Sequence, residues 1–215
     1  MRKNSNKSIC IAVALLAAFG LWTVLLRCID VRPIGPNGST VGLASLNAFM
    51  HKLIGVHMNL YLITDWLSLV PIAVVAGFSV LGLVQWIKRK SLRKVDYSIL
   101  ILGGFYAVVM AAFLLFEKLV VNYRPVLIEG VLEASYPSST TMLVMCVMPT
   151  AILQLNQRIQ KTSLKRCIGW SIAAFTVFMV VSRWISGVHW FSDIIGGMLL
   201  STGLVTLYYG MSRIK

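Results

Sequence analysis

Charge is scarce in this chain, and negative charge is scarcer still. Only 13% of the 215 residues are Asp, Glu, Lys or Arg, and just seven of those are acids. A soluble domain carries about 25% charged and about 45–50% apolar residues. Here 58% are apolar, which excludes a water-soluble globule and leaves an integral membrane protein. Cysteine is sparse too: positions 10, 28, 146 and 167 show no paired spacing and lie in or beside apolar runs. They indicate neither a disulfide framework nor a zinc site, and small buried thiols are expected. The few His, Cys, Asp and Glu residues form no ligand cluster in the sequence, so no metal or cofactor is expected. Internal repeats and low-complexity linkers are lacking as well, and a single membrane domain over 1–215 is expected.

What the chain has instead is long apolar runs. A membrane span needs roughly 20 such residues, and six with short loops use up the length. The runs at 9–26, 67–86, 97–116, 140–155, 167–185 and 191–210 predict six transmembrane helices, hence an all-α membrane protein. The first follows Arg2, Lys3 and Lys7 in the manner of a secretory leader. However, it is too long for a leader core, and Arg27-Cys28-Ile29-Asp30 is a poor cleavage site, so a retained helix is expected.

The net charge of +13 is not a nucleic-acid footprint, because of where it sits. With the N-terminus inside, fourteen of the twenty basic residues and one acid, Asp96, fall on inside segments. The remaining six basic residues and six acids fall outside, so the inside carries the whole excess. That is a topology signal of the positive-inside kind. Both termini are expected to be cytoplasmic in a multi-pass cell-membrane protein, with lipid, not nucleic acid, as its partner.

The longest outside segment, about 27–66, opens with the turn formers Pro33, Gly35, Pro36 and Gly38. Leu43, Leu46, Phe49, Met50, Leu53 and Ile54 then recur at helical spacing, which predicts a short amphipathic helix at the interface. His51 and His57 lie in this segment and are read as interfacial or solvated.

Three outside pieces carry the chemistry. The most specific runs from Ser182 to Asp193, between the last two apolar runs. Ionisable groups at a membrane edge are expensive and usually functional. His189 and Asp193 stand four residues apart, on one helical face, so the carboxylate can orient the imidazole and leave its other nitrogen free to attack. Arg183 offers a planar fork suited to phosphate. Asn122-Tyr123-Arg124-Pro125 is the second piece. Ser135-Tyr136-Pro137-Ser138-Ser139-Thr140 is the third, a hydroxyl-rich helix start whose open backbone N–H groups form an anion site. Taken singly these pieces have plainer readings. Arg183 can snorkel, Asp193 can cap a helix, and Gly196-Gly197 suits helix packing.

Together, the pieces resemble the type 2 phosphatidic acid phosphatase (PAP2) superfamily. Ser182, Arg183, Gly187, His189 and Asp193 match every fixed position of its Ser-Arg, three residues, Gly, one residue, His, three residues, Asp block. The third piece resembles its Pro-Ser-Gly-His block, and the second its Lys, six residues, Arg-Pro block. The resemblance implies a PAP2-like helical bundle and a phosphatase without metal. His189 would form a phosphohistidine while Asp193 holds the ring. Arg124, Arg183 and the backbone near Ser138 and Ser139 would bind the phosphoryl oxygens, with an active site facing outside.

Two departures from the pattern have consequences. Five residues separate Lys118 from Arg124, and Glu117 stands where the family has Lys. A one-residue shift turns a helical side chain by about 100°, though Lys118 is kept as a phosphate ligand because its stem is long. The larger departure is Thr140, in place of the His that protonates the leaving oxygen. A threonine hydroxyl is no general acid near neutral pH, so Thr140 is left a phosphate-binding role. Either the protein is a weak or inactive relative that binds lipid phosphates, or its leaving group needs little protonation. A lipid diphosphate such as undecaprenyl diphosphate satisfies the second condition, because it expels a phosphate monoester. That gain outweighs the ~10²–10⁴ of ordinary acid catalysis. A transporter is disfavoured, since the ionisable residues gather at one face and not at the midplane.

Overall fold

The computed structural model describes residues 2–212, so the expected inside charges Arg213 and Lys215 lie outside the described residues. Eight α-helices are seen among the described residues: α1 (Arg2–Cys28), α2 (Ala44–Ile54), α3 (Met58–Leu67), α4 (Leu69–Arg89), α5 (Tyr97–Lys118), α6 (Ser139–Arg158), α7 (Thr162–Ile185) and α8 (Phe191–Met211). Six stretches are long and apolar enough to cross a membrane, and they overlap the six runs read from sequence.

Helix α6 is the hub. It packs against α4, α5, α7 and α8 and buries Thr140, Val144, Cys146, Val147, Ala151 and Gln154 along its length. Helix α1 lies antiparallel along α8: Ser5 Oγ donates to Gly210 O at 2.7 Å near one end, and Trp22 Nε1 donates to Ser192 O at 3.1 Å near the other. In a bilayer the hydrophobic effect does not drive helices together, and interhelical hydrogen bonds average only about 0.6 kcal/mol. Close packing must therefore carry the bundle, with bonds such as Gln154 Nε2 to Tyr208 Oη at 2.6 Å setting register. Asp96 ties the loop end of α4 to α5 through Arg89 at 2.8 Å and Gln85 at 2.8 Å.

Two expectations change. Of the four thiols only Cys146 is buried; Cys10 and Cys28 on α1 and Cys167 on α7 are exposed. The segment 58–66, expected as part of an outside loop, forms helix α3 together with Leu67, and α3 runs into α4 across Ser68, which itself keeps helical backbone angles. Its polar residues Tyr61, Thr64 and Asp65 obscure it in the sequence, and those three residues serve the site. The amphipathic helix forms as α2, ending at Gly55.

Candidate active site

Three connections meet at one end of the bundle. Arg183 sits in the last turn of α7, Asp193 in the first turn of α8, and His189 in the loop between them. The loop is held by close approach. Gly187 has φ +69°, and a Cβ there would fall 2.0 Å from the carbonyl oxygen of Gly55. His51 Nε2 contacts Gly187 O at 3.1 Å, and the His57 N–H donates to Ser186 O at 2.9 Å. Both outer-segment histidines thus brace the loop that carries His189.

The other half comes from the connection between α5 and α6. Tyr123 and Ala134 form an antiparallel bridge, in which Arg124 N–H donates to Glu133 O at 3.0 Å and Ser135 N–H to Asn122 O at 2.9 Å. This pairing carries Asn122 and Arg124 from one arm and Ser135 from the other to the α7–α8 loop. Tyr136 anchors it. Its hydroxyl shares a 2.7 Å hydrogen bond with Thr23, and its ring lies so close to Gly196 that a Cβ there would stand 2.3 Å from it.

His189 is 3% exposed. Its Nε2 lies 3.3 Å from Arg124 Nη1. A guanidinium only donates, so Nε2 is the accepting nitrogen and Nδ1 bears the proton. Nδ1 stands 2.9 Å from Ser135 Oγ, and Ser135 Oγ donates to Asp193 Oδ2 at 2.5 Å. The direct Nδ1–Oδ2 separation is 4.0 Å. Asp193 therefore reaches His189 through the Ser135 hydroxyl, not by the direct bond expected from the i, i+4 spacing. Asp193 also accepts from Asn122 Nδ2 at 3.0 Å and from the Trp190 N–H at 3.0 Å, so it caps α8 as well. Burial first, then the charges of Arg124 and Arg183, holds His189 well below the usual imidazole range. The ring is thus neutral, with a lone pair at Nε2.

Arg183 is 2% exposed and is gripped by α3. Its Nη1 donates to Thr64 Oγ1 at 3.2 Å, its Nη2 is 3.9 Å from Asp65 Oδ1, and its guanidinium lies 4.6 Å from the Tyr61 ring centroid. Arg124 has its Nε 2.9 Å from Glu133 Oε2, an ion-pair contact without hydrogen-bond alignment. The Nε of both arginines is buried and lacks a hydrogen-bond partner. Leaving such a donor unmet costs about 1–3 kcal/mol, a cost that for Arg124 the Glu133 carboxylate 2.9 Å away offsets. Two buried guanidinium groups, one of them donating to an unprotonated imidazole nitrogen, suit a tetrahedral oxyanion.

A cavity of about 380 Å³ adjoins the two arginines, and His189, behind Arg124, is not among the residues that line it. Its polar end is lined by Asp65, Arg124, Ser139, Thr140 and Arg183, and its walls by apolar residues of α4, α5 and α6 such as Val75, Val109 and Val147. A second cavity of about 240 Å³ touches Arg124, Ser135 and Ser139 from the other side, beside Glu117 and Glu133.

The structure brings together His189, Asp193, Arg124, Arg183, Ser139 and Thr140. Two expected residues stand differently. Lys118 is exposed and lines neither cavity, whereas Glu117 lines the smaller one; the one-residue offset turns the ammonium away. Ser138 is fully buried, its N–H is taken by Asp193 O at 3.1 Å, and its Oγ accepts a long 3.5 Å bond from Thr141 N–H. It caps α6 and has no amide left for an anion. The amides of Ser139 and Thr140 open the helix and have no intrahelical acceptor. Ser135, Asn122, Tyr61, Thr64 and Asp65 were given no role from sequence. For the last three the available signal was spacing, since positions 61, 64 and 65 share a helical face. Among the described residues no three His, Cys, Asp or Glu side chains gather to hold a metal ion.

Comparison with known proteins gives the family and the fold. The family profile described as PAP2 superfamily matches residues 72–214. The crystal structure of the first transmembrane PAP2 type phosphatidylglycerolphosphate phosphatase from Bacillus subtilis superposes with a TM-score of 0.65 at 19% identity. The match covers 95% of this chain and 97% of that one, and at this identity it speaks for the fold. No curated protein matches the sequence.

Proposed function

The chain belongs to the PAP2 superfamily, and from that premise we propose that this membrane phosphatase removes the terminal phosphoryl group of a lipid diphosphate, of the undecaprenyl diphosphate type, through a phosphohistidine. In this reading the chain is one membrane domain with both termini in the cytoplasm and the site at the outer face. The charge asymmetry of the loops supports that orientation.

In the reaction Nε2 of His189 attacks phosphorus, and the bond to the bridging oxygen breaks. Arg124 leaves Nε2 to bind a phosphoryl oxygen, Arg183 binds another, and the Ser139 and Thr140 amides complete the set. Such chemistry depends on positioning and on neutralising charge on the transferring group. The lipid monophosphate departs with its electron pair. Water then attacks the phosphohistidine, releases inorganic phosphate and restores neutral His189.

The observation that carries the reading is the contact between Arg124 Nη1 and His189 Nε2 at 3.3 Å, beside a second buried guanidinium. Support for a lipid comes from the larger cavity, which is polar beside the arginines and apolar between α4, α5 and α6. Support for a diphosphate comes from Thr140, which lines that cavity where a general acid would otherwise be needed. The same residue favours the second reading, a relative that binds lipid phosphates without turnover.

Phosphate release by the purified protein from undecaprenyl diphosphate, phosphatidylglycerol phosphate and phosphatidic acid tests both. Faster release from the diphosphate is expected. Faster release from a monophosphate overturns the preference, and binding of all three without release favours the second reading.

A further inference from the structure

We propose that Ser135 is a positioning residue whose hydroxyl connects Asp193 to His189, accepting the Nδ1 proton's hydrogen bond on one side and donating to the carboxylate on the other. The inference rests on the reading of His189 as nucleophile and adds the element through which the carboxylate acts.

The geometry leaves the carboxylate no other route to the ring. Ser135 Oγ is 2.9 Å from Nδ1 and 2.5 Å from Oδ2, while the two end atoms are 4.0 Å apart, beyond hydrogen-bond reach. Asp193 cannot swing closer without loss. Oδ1 accepts from Asn122 Nδ2, and Oδ2 from the Trp190 N–H that begins α8. Ser135 is itself fixed by its N–H bond to Asn122 O, and all three residues are buried. A hydroxyl donates one proton and accepts with two lone pairs, so one serine fills both contacts at once.

The chemical consequence follows from the charge that develops. As Nε2 bonds to phosphorus, the ring becomes a cation with its proton on Nδ1. Ser135 accepts that N–H and passes the carboxylate's charge to the ring through its own O–H. No covalent bond other than N–P forms, and neither proton need leave its heavy atom. The hydroxyl also excludes the other tautomer, in which a proton on Nε2 would block attack. The Ser135 carbonyl lies near the ring too and favours its protonated form. Removing the hydroxyl therefore weakens the coupling to Asp193 without freeing the ring altogether.

The test compares Ser135→Ala, Ser135→Cys and Ser135→Thr in the full-length purified protein, with His189→Ala alongside. The readouts are kcat, KM, the pH dependence of kcat/KM and competitive inhibition by inorganic phosphate. The charged or titratable groups around His189 are Arg124, Arg183 and Asp193, with His51 across the loop, Asp65 behind Arg183 and Glu133 and Glu117 beyond Arg124. The variants replace none of these groups, although Ser135→Ala also takes one hydrogen bond from Asp193, which keeps those from Asn122 and the Trp190 N–H. Ser135→Ala is expected to lower kcat by about 10–100-fold, the range for loss of a residue that orients a functional histidine, with KM and phosphate inhibition within about twofold. The acidic limb of kcat/KM moves to lower pH, because the ring cation loses an acceptor. Ser135→Thr restores kcat and the limb. If Ser135→Ala does not fold, Ser135→Cys, a similar shape with a weak donor, takes its place with the same direction of change.

An alanine variant with wild-type kcat and an unmoved limb overturns the proposal. So does an equal loss in Ser135→Thr with no movement of the limb. If His189→Ala is inactive while Ser135→Ala is unaffected, only the connection fails. If His189→Ala keeps its activity, the nucleophile reading fails and the connection with it.

Discussion

Arg124 Nη1 rests 3.3 Å from His189 Nε2, the nitrogen that would attack phosphorus in the proposed reaction. The cation thus covers the Nε2 lone pair, and in the proposed reaction a phosphate oxygen draws it away. In the proposed reaction the guanidinium has two jobs, binding the anion and, after burial, helping by its charge to keep the ring neutral.

Replacing that fork by a point charge separates the two jobs. Arg124→Lys keeps the charge but loses the planar donors. The expected result is a fall in kcat of about 10²–10³-fold, the scale for one lost donor at a transferring group. Steady-state kinetics on the lipid diphosphate measures it, and a loss under threefold would remove Arg124 from the phosphoryl site.

Restoring the missing acid has a direction that depends on the substrate. Thr140→His should raise turnover of a lipid monophosphate at least tenfold, within the ~10²–10⁴ that general acid catalysis supplies. Diphosphate turnover should change little, since its leaving group needs no proton. Parallel assays of the two substrates check this, and an equal gain on both would undercut the role given to Thr140.

The pH dependence has a definite sign. His189 is held below its ordinary value of 6.5 by burial first, then by Arg124 and Arg183. The neutral nucleophile persists below that value, so the acidic limb of kcat/KM should lie under pH 6.5. Stability follows the same linkage. The unfolded chain binds this proton more readily, so stability is full above pH 6.5 and is lost as pH falls from 6.5 toward the lower folded value. Thermal unfolding in detergent across pH 5–8 should show that decline, and His189→Asn should flatten it.

Gly187 is required by space as well as by backbone. A side chain at φ +69° costs about 1–2 kcal/mol, and its Cβ would stand 2.0 Å from Gly55 O. Gly187→Ala should lower the apparent Tm by at least about 2–4 °C and displace His189, with activity falling further than stability. Unchanged melting and kinetics would contradict the described loop.

These residues also mark how far the sequence could be read. The six spans were visible because each is a run of roughly twenty apolar residues, and nothing else in a chain this short looks the same. His189, Asp193 and Arg183 stand out in the sequence by their fixed spacing at a membrane edge, and the structure sets Arg124 against His189 from a second connection. Helix α3 does not stand out, because Tyr61, Thr64 and Asp65 interrupt the apolar run and make sense only once Arg183 is seen among them. Ser135 stands at the head of the hydroxyl-rich segment 135–140, but nothing in that segment singles it out from the serines beside it. Its position between two functional groups is a tertiary fact. Lys118 illustrates the converse: a plausible residue type, placed on the wrong side by one position.

The central claim is that His189 takes the phosphoryl group. A single turnover with undecaprenyl diphosphate labelled in its terminal phosphate, stopped with alkali, tests it directly. The account expects label on the peptide that contains His189, stable to base and released by mild acid, and none in His189→Ala. Hydrolysis by the wild-type protein with no trapped label, or equal label in the alanine variant, would contradict it.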